Sequence, residues 1–381
     1  MSQVVVIGAG VLGASVAYRL AQAGCAVTVL EARRVGAGTS GASYAWLNSS
    51  NKAPRAYHDL NVAGMAAHAA LADEFPATPW LHRSGGIEIA SGPEAAAALE
   101  AKVARLRGWD YAAELITPAR LAELEPDLDL DAIADPLAAW CPAEGYLDPV
   151  LFAGHFIRAA AALGARLLPG VEASELAVAA GRVAGVVTRD GQRIPARHVV
   201  NCAGRWADLI GGPDVPRLPL APRVGMLVFT PPVPVSLSHV LRTPLVDLRP
   251  DGAGRLMLHD NAADAQVTLE TPATPDLAEA TAMVRQAARL FPGLHGVSPE
   301  AVRITARPVP ADRHSAVGPV PGVEGYYMAV THSAVTLAAY LGRLIAQEVA
   351  AGQPADVLAP FRPARFWGGA PAALAAATNA E

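Results

Sequence analysis

The sequence predicts an α/β protein with a parallel-sheet part interrupted along the chain and a second, α+β part built on a mostly antiparallel sheet. Three observations predict it. Val4 to Glu31 reads as an apolar strand, a glycine turn (Gly8, Gly10, Gly13), a helix through Leu20, a break at Gly24 and a second strand. Asp148-Pro149 opens a helix to Leu163 that leads into strands and back to the apolar run Val199-Val200-Asn201-Cys202-Ala203-Gly204. Between Pro216 and Ala306, short alternating strands and one amphipathic helix suit a separate antiparallel sheet.

The first stretch carries chemistry. Gly8 permits a tight turn, Gly10 lets backbone approach a pyrophosphate, and Gly13 lets the helix pack on the strand. Val11 and Leu12 open the helix, whose N-terminal N–H groups and dipole favour phosphate. Glu31, 18 residues after Gly13, stands where a carboxylate accepts hydrogen bonds from ribose hydroxyls and repels a 2′-phosphate, so NADP is disfavoured. Strand, turn, helix and acid together make a Rossmann-type dinucleotide fingerprint. By itself it leaves FAD and NAD both open. The following loop, Ala32-Arg33 to Thr39-Ser40-Gly41-Ala42-Ser43, has the small residues and hydroxyls of a backbone that wraps round a ligand. It runs into Tyr44 and Trp46.

Composition sets the bounds. The 381 residues suffice for two domains, and 52% hydrophobic residues make the chain globular. A net charge of −5, with no basic run, argues against a nucleic-acid partner. Cys25, Cys141 and Cys202 form no CxxC spacing, so neither a disulfide framework nor a metal site is expected. No unbroken apolar run reaches membrane-spanning length, and the N-terminus lacks a basic segment of the signal-peptide kind. A cytoplasmic location is the expectation.

Taken in order, Tyr57 to Phe75 reads as a helix, Gly85 to Ala90 as a strand and Pro93 to Leu106 as a proline-started helix. A short helix follows Thr117-Pro118. The Pro- and Asp-rich segment from Glu125 to Asp148 reads as a long irregular crossing between domains. Ala165 to Val171 reads as a strand, and Asp190-Gly191 as a hairpin signal. Further strands are expected at Gly225–Phe229, Arg255–His259, Gln266–Leu269 and Val302–Ala306, with a helix from Asp276 to Phe291. A buried strand at Gly325–Val330 and a helix from His332 to Ala350 close the chain. The division expected is 1–75 with 145–215 and 312–381 for nucleotide, and 76–144 with 216–311 for substrate.

Four separated blocks then resemble the FAD-dependent D-amino acid oxidase family, which includes glycine oxidase, sarcosine oxidase and D-amino acid dehydrogenases. They are Gly8 to Glu31, Gly38 to Ser43, Val199 to Ala207, and Arg307-Pro308 with Gly318-Pro319 leading to His332-Ser333. The resemblance implies FAD, with Glu31 on the adenosine ribose, the Thr39 to Ser43 loop passing pyrophosphate and flavin, and the Val171 backbone at adenine. It also places the turn of Cys202, Ala203, Gly204 and Trp206 nearby, and the helix start at His332, Ser333, Ala334 and Thr336 beside the flavin. Relatives often have glycine where this chain has Ala334. With every cysteine at or before Cys202 and the first histidine at His58, non-covalent FAD is expected.

The resemblance assigns Arg307 to a substrate carboxylate, which a guanidinium holds bidentately; the alternative is a structural pair with Asp312. His259, titrating ordinarily near about 6.5, is a candidate to take an amine proton. Lys52, nine residues after Ser43, is the candidate charge for reaction with oxygen; without it, another electron acceptor is expected. The leading expectation is oxidation of the C–N bond of a small amine or amino acid (D-amino acid, glycine or N-alkyl amino acid) to an imine, by hydride transfer to flavin N5. The alternatives are oxidation of a 2-hydroxy acid, which needs a base for the hydroxyl proton, and a non-catalytic flavoprotein subunit.

Overall fold

The computed structural model describes residues 2–212 and 215–368; residues 1, 213, 214 and 369–381, which the sequence reading assigns to the nucleotide part, lie outside the described residues. Its parallel layer is a six-stranded sheet in the order Ala316–Pro319, Tyr326–Val330, His198–Asn201, Gln3–Ile7, Ala26–Glu31, Arg166–Pro169. Only Ala316–Pro319 runs antiparallel to its neighbour. The first strand is therefore central, with Val5 facing Thr28 on one side and Val199 on the other. Buried on both faces, it reads as a continuous apolar run.

The glycine turn follows from that position. Gly8 has φ +94°, and its N–H bonds to the Leu30 carbonyl at 2.8 Å. A Cβ on Gly13 would fall inside the carbonyl oxygen of Gly8, so the helix Val11–Gln22 can sit this close to the strand only with glycine there. That helix packs between Pro149–Ala162 and the last helix, Ala334–Ala351. Arg55–Ala69 lies on the last helix in turn.

The second layer is an eight-stranded sheet in the order Ala301–Pro310, Leu220–Phe229, Leu256–His259, Asp247–Pro250, Val240–Arg242, Gly86–Ser91, Pro136–Cys141, Glu114–Ile116. All its pairings are antiparallel except that of Val240–Arg242 with Gly86–Ser91. The helix Ala278–Leu290 covers it through Met283, Val284 and Ala287. Three strands, Trp46–Leu47, Gly145–Leu147 and Leu81–His82, form a small sheet of their own.

Five expectations need correction. The segment Glu125–Asp148 is not an irregular crossing: Pro136–Cys141 pairs with Gly86–Ser91 inside the large sheet. Pro136 opens that strand, and the segment's other prolines and its aspartates lie outside it. Gln266–Leu269 is a turn rather than a strand, because Asp260 accepts from Ala262 N–H at 3.0 Å and caps a short helix, Asn261–Asp264, just before it. The strand begun at Arg166 stops at Pro169, short of Val171, and the last helix starts at Ala334 rather than His332. Tyr57–Phe75 is a helix from Arg55 to Ala69 extended by a 3₁₀ turn to Asp73.

Gly13→Ala is expected to destabilise the protein by on the order of 1–3 kcal/mol through overpacking, read as a lower melting temperature in thermal denaturation. An unchanged melting temperature would show that the turn tolerates a wider spacing.

Candidate functional site

The ends of the parallel strands and one face of the large sheet border a single cleft of about 1460 Å³. Two helices begin on its wall, Val11–Gln22 after Gly10 and Ala334–Ala351 after Ser333, and neither cap residue caps its helix with a side chain. Apart from Val11 N–H, which donates to Ser40, these N-termini direct N–H groups and positive dipole ends into the cleft, an arrangement that favours anionic groups.

The glycine-turn side is drawn together by hydrogen bonds. Ala9 N–H donates to Glu31 Oε2 at 2.8 Å and Arg33 N–H to Glu31 Oε1 at 2.9 Å, so Glu31 clamps the turn and still has lone pairs toward the cleft. Ser40 Oγ accepts from Val11 N–H at 3.1 Å and would lie 2.8 Å from a Cβ on Gly10. Thr39 donates to the Ala306 carbonyl at 2.8 Å, tying this loop to the large sheet. Val171 gives its N–H to the Glu31 carbonyl at 3.0 Å, which leaves only its own carbonyl for a ligand.

Of the positions singled out in the sequence, Gly8, Gly10, Val11, Leu12, Glu31, Ala32, Arg33, Thr39, Ser40, Ser43 and Val171 line the cleft. So do Cys202, Ala203, Gly204, Trp206, His332, Ser333, Ala334 and Thr336, along with Lys52, His259 and Arg307. Gly13 and Gly41 do not. Each lies against a carbonyl of its own loop, that of Gly8 and that of Gly36 respectively. Their role is close packing.

On the large sheet, Arg307 leans across its diagonal neighbour Gly225, where a Cβ would come within 2.5 Å of Nε. Its Nη2 donates to Asp264 Oδ2. The same carboxylate oxygen meets His259 Nε2 at 3.1 Å, while His259 Nδ1 faces Asp247 at 3.3 Å. Arg307 is therefore paired with Asp264; Asp312, the partner considered from sequence, binds Arg365 at 2.6 Å. Burial works to lower the His259 pKa, but hydrogen bonds and charge from Asp247 and Asp264 outweigh it and raise it to about 9. With that pKa the ring favours the protonated form at neutral pH, its Nδ1 facing Asp247 and its Nε2 facing both Asp264 and, at 2.9 Å, Arg307 Nη2. It is not the base that an ordinary histidine would be.

His332 is its opposite. Its ring opens onto the cleft, yet its depth there and then the charges of Lys52, Arg307, His259 and Arg223 push its pKa down to about 3, so it is neutral at pH 7. The same charges show that Lys52 and Arg307, 255 positions apart in sequence, converge on one imidazole. Nearby, the Ser333 and Tyr57 hydroxyls meet at 2.7 Å, fixing the start of the last helix.

Sequence reasoning missed Asp247, Asp264 and Arg223. Asp264 had a signal, since Asp260 is an N-cap that makes the next residues helical and turns Asp264 back onto Met226 N–H. Asp247 and Arg223 had none, because only strand register brings them to the cleft.

A family model for DAO, FAD dependent oxidoreductases, matches residues 3–348. Glycine oxidase of Geobacillus kaustophilus is 26% identical over 380 residues, covering 96% of this chain and 97% of that protein. The hydrogen cyanide synthase subunit HcnC of Pseudomonas aeruginosa is 29% identical over 228 residues, 58% of this chain and 52% of that protein. For a mitochondrial pyruvate dehydrogenase phosphatase regulatory subunit of Mus musculus the share is 24% of that protein, so the chain spans about half or less of these two relatives. In fold it is similar to L-proline dehydrogenase from P. horikoshii, with a TM-score of 0.84 at 21% identity over 96% of this chain and 97% of that one. Because the matching model runs through the glycine turn, the large sheet and the last helix alike, the protein belongs to the DAO family of FAD dependent oxidoreductases.

Proposed function

We propose that the protein oxidises the C–N bond of a small amine or amino acid to an imine, with FAD held non-covalently as the electron acceptor. The observation that carries this reading is Arg307, drawn into the cleft beside the neutral His332 and the ammonium of Lys52. Two helix starts whose own cap residues leave N–H groups free, and the Gly10 cradle, suit a ligand with a pyrophosphate at one place and an electron-rich ring at another. The turn Gly8–Gly13 with Ser40 would hold the pyrophosphate, Glu31 the ribose, the Val171 carbonyl the adenine, and the first turn of Ala334–Ala351 the flavin. Bound FAD supplies the hydride acceptor, its N5 atom. Burial pushes the Cys202 thiol up in pKa, which keeps it protonated and unreactive and supports non-covalent binding.

The chain's own residues then bind and orient. Arg307 spends one Nη2 hydrogen on Asp264 and keeps further N–H donors for a substrate carboxylate. Asp264 holds that guanidinium in place across Gly225, and its same carboxylate oxygen also meets His259. The charge states favour an amine over a 2-hydroxy acid. A hydroxyl needs a base to take its proton, whereas His259 is already protonated and His332 is too weakly basic at pH 7. An amine, present mostly as its ammonium form at neutral pH, gives its proton to solvent and reacts as the free base, which the far less acidic hydroxyl does not do without a protein base. Lys52 would supply positive charge for oxygen to react with the reduced cofactor; otherwise electrons pass to another acceptor. We further propose that the six-stranded sheet belongs to the cofactor domain, 1–75 with 145–215 and 312–381, and the eight-stranded sheet to the substrate domain, 76–144 with 216–311.

Anaerobic bleaching of the yellow holoenzyme by a D-amino acid, glycine or an N-methyl amino acid tests the reaction; bleaching by a 2-hydroxy acid alone would overturn it. Arg307→Ala should lower kcat/KM about 10- to 100-fold, corresponding to roughly 1.5–3 kcal/mol for a charge-assisted contact. Arg307→Lys, which keeps charge but not the fork, should recover only part, and an unchanged KM in both would remove Arg307 from the carboxylate role. Lys52→Met should slow reoxidation by oxygen about 100-fold with flavin reduction intact, as stopped-flow absorbance would show. Equal reoxidation rates would exclude Lys52.

The raised pKa of His259 also has a stability consequence. Its contribution is fully present below the unfolded value of about 6.5, falls as pH rises, and is lost above about 9. A stabilising effect on the order of 3 kcal/mol is expected from that interval. The melting-temperature gap between wild type and His259→Gln should therefore be wide at pH 6 and narrow at pH 9.5. A gap independent of pH would show that the ring is not protonated in the folded protein.

A further inference from the structure

The antiparallel pairing of Leu220–Phe229 with Ala301–Pro310 sets Arg223 directly opposite Arg307. Directly opposite residues point to the same face of a sheet, and both side chains line the cleft. Two like charges in that position repel. Arg307 is compensated by Asp264, toward which it leans across Gly225, but Arg223 makes no ion pair or side-chain hydrogen bond among the described residues. The same holds for Lys52, which also lines the cleft. Asp247 and Asp264, the carboxylates of this part of the cleft, are both occupied by His259 and Arg307. Arg223 and Lys52 both line the cleft, and the charge of each acts on His332. A neutral imidazole thus sits amid an excess of positive charge that a single carboxylate on Arg307 does not balance.

We propose that the substrate carries two carboxylates: Arg307 takes the one next to the reacting C–N bond, and Arg223 with Lys52 takes the second. The inference rests on the amine-oxidising reading above and narrows its substrate class to acidic amino acids or N-carboxyalkyl amino acids. The second carboxylate would relieve the cross-strand repulsion, so its binding energy comes from charge already assembled. Arg223 is a specificity residue here rather than a catalytic one.

Binding can be measured apart from turnover. Oxydiacetate and methoxyacetate have no C–N bond and differ in one carboxylate, and each can be titrated into the holoenzyme while the flavin absorbance is followed. Oxydiacetate should bind about tenfold or more tightly, and Arg223→Gln should bring the two dissociation constants within about threefold. Arg223→Lys should restore part of the preference. Anaerobic reduction should show the same order, with D-aspartate or N-(carboxymethyl)glycine ahead of D-alanine and N-methylglycine; which diacid leads tells whether the second carboxylate sits on the side chain or on nitrogen. Equal binding of the two acids, or a preference that survives Arg223→Gln, would overturn the proposal. If no amine reduces the flavin while the Arg223-dependent preference for the diacid persists, the C–N oxidation reading falls and the second anion site stands.

Discussion

The close approach of the first helix to the first strand is the constraint on which the rest depends. With hydrogen at Gly13 in place of a Cβ, the helix rests on the Gly8 carbonyl and its N-terminus opens at the ends of the parallel strands. Three other segments are pinned to that turn. Leu30 and Glu31 accept N–H bonds from it, Ser40 meets Val11, and Cys202 N–H joins the Ile7 carbonyl. One packing contact therefore brings the second strand, the hydroxyl-bearing loop and the small-residue turn to the same place. A cofactor site assembled this way has backbone donors held by buried strands, and they reorganise little when a ligand arrives.

The opposite wall works by charge rather than by backbone. Arg307, His259, Asp264 and Asp247 form a set in which each carboxylate meets at least one cation, and the mutual attraction makes His259 more basic despite its burial. Breaking one member of such a set leaves another uncompensated, which is costly for side chains as buried as His259 and Asp264. His332, a few positions before the last helix's first full turn, experiences the same cations without a carboxylate of its own and becomes less basic. Two histidines in one cleft thus hold opposite charge states at neutral pH. Under the proposed reading neither takes a substrate proton at neutral pH, and the wall would place a substrate rather than deprotonate it.

The cofactor side was readable in the sequence because its signals are local. Gly8, Gly10, Gly13 and Glu31 fall within one strand–turn–helix–strand unit, where spacing along the chain is nearly spacing in the fold. The large sheet was read less well. Pro136–Cys141 lay hidden in a segment whose aspartates and other prolines lie outside the strand, and its own alanines give little strand signal. Gln266–Leu269 imitated a strand, but the cap at Asp260 set a helix and turn there instead. Arg307 and His259 could be singled out as types of residue, while their partners could not, because Asp247, His259, Asp264 and Arg307 come from four different elements or loops.

The sequence by itself determined the α/β architecture, the dinucleotide turn and the membership that follows from widely separated blocks. These rest on short-range sterics and on hydrophobic periodicity, which act within a few residues. Tertiary structure alone decided the charge of His259, the neutrality of His332, the pairing of Arg307 with Asp264 and the confrontation of Arg223 with Arg307. A pKa depends on what lies within a few ångströms, and cross-strand opposition depends on register. Both are properties of distance in space, which Arg223 and Arg307, 84 positions apart in sequence, acquire only on folding.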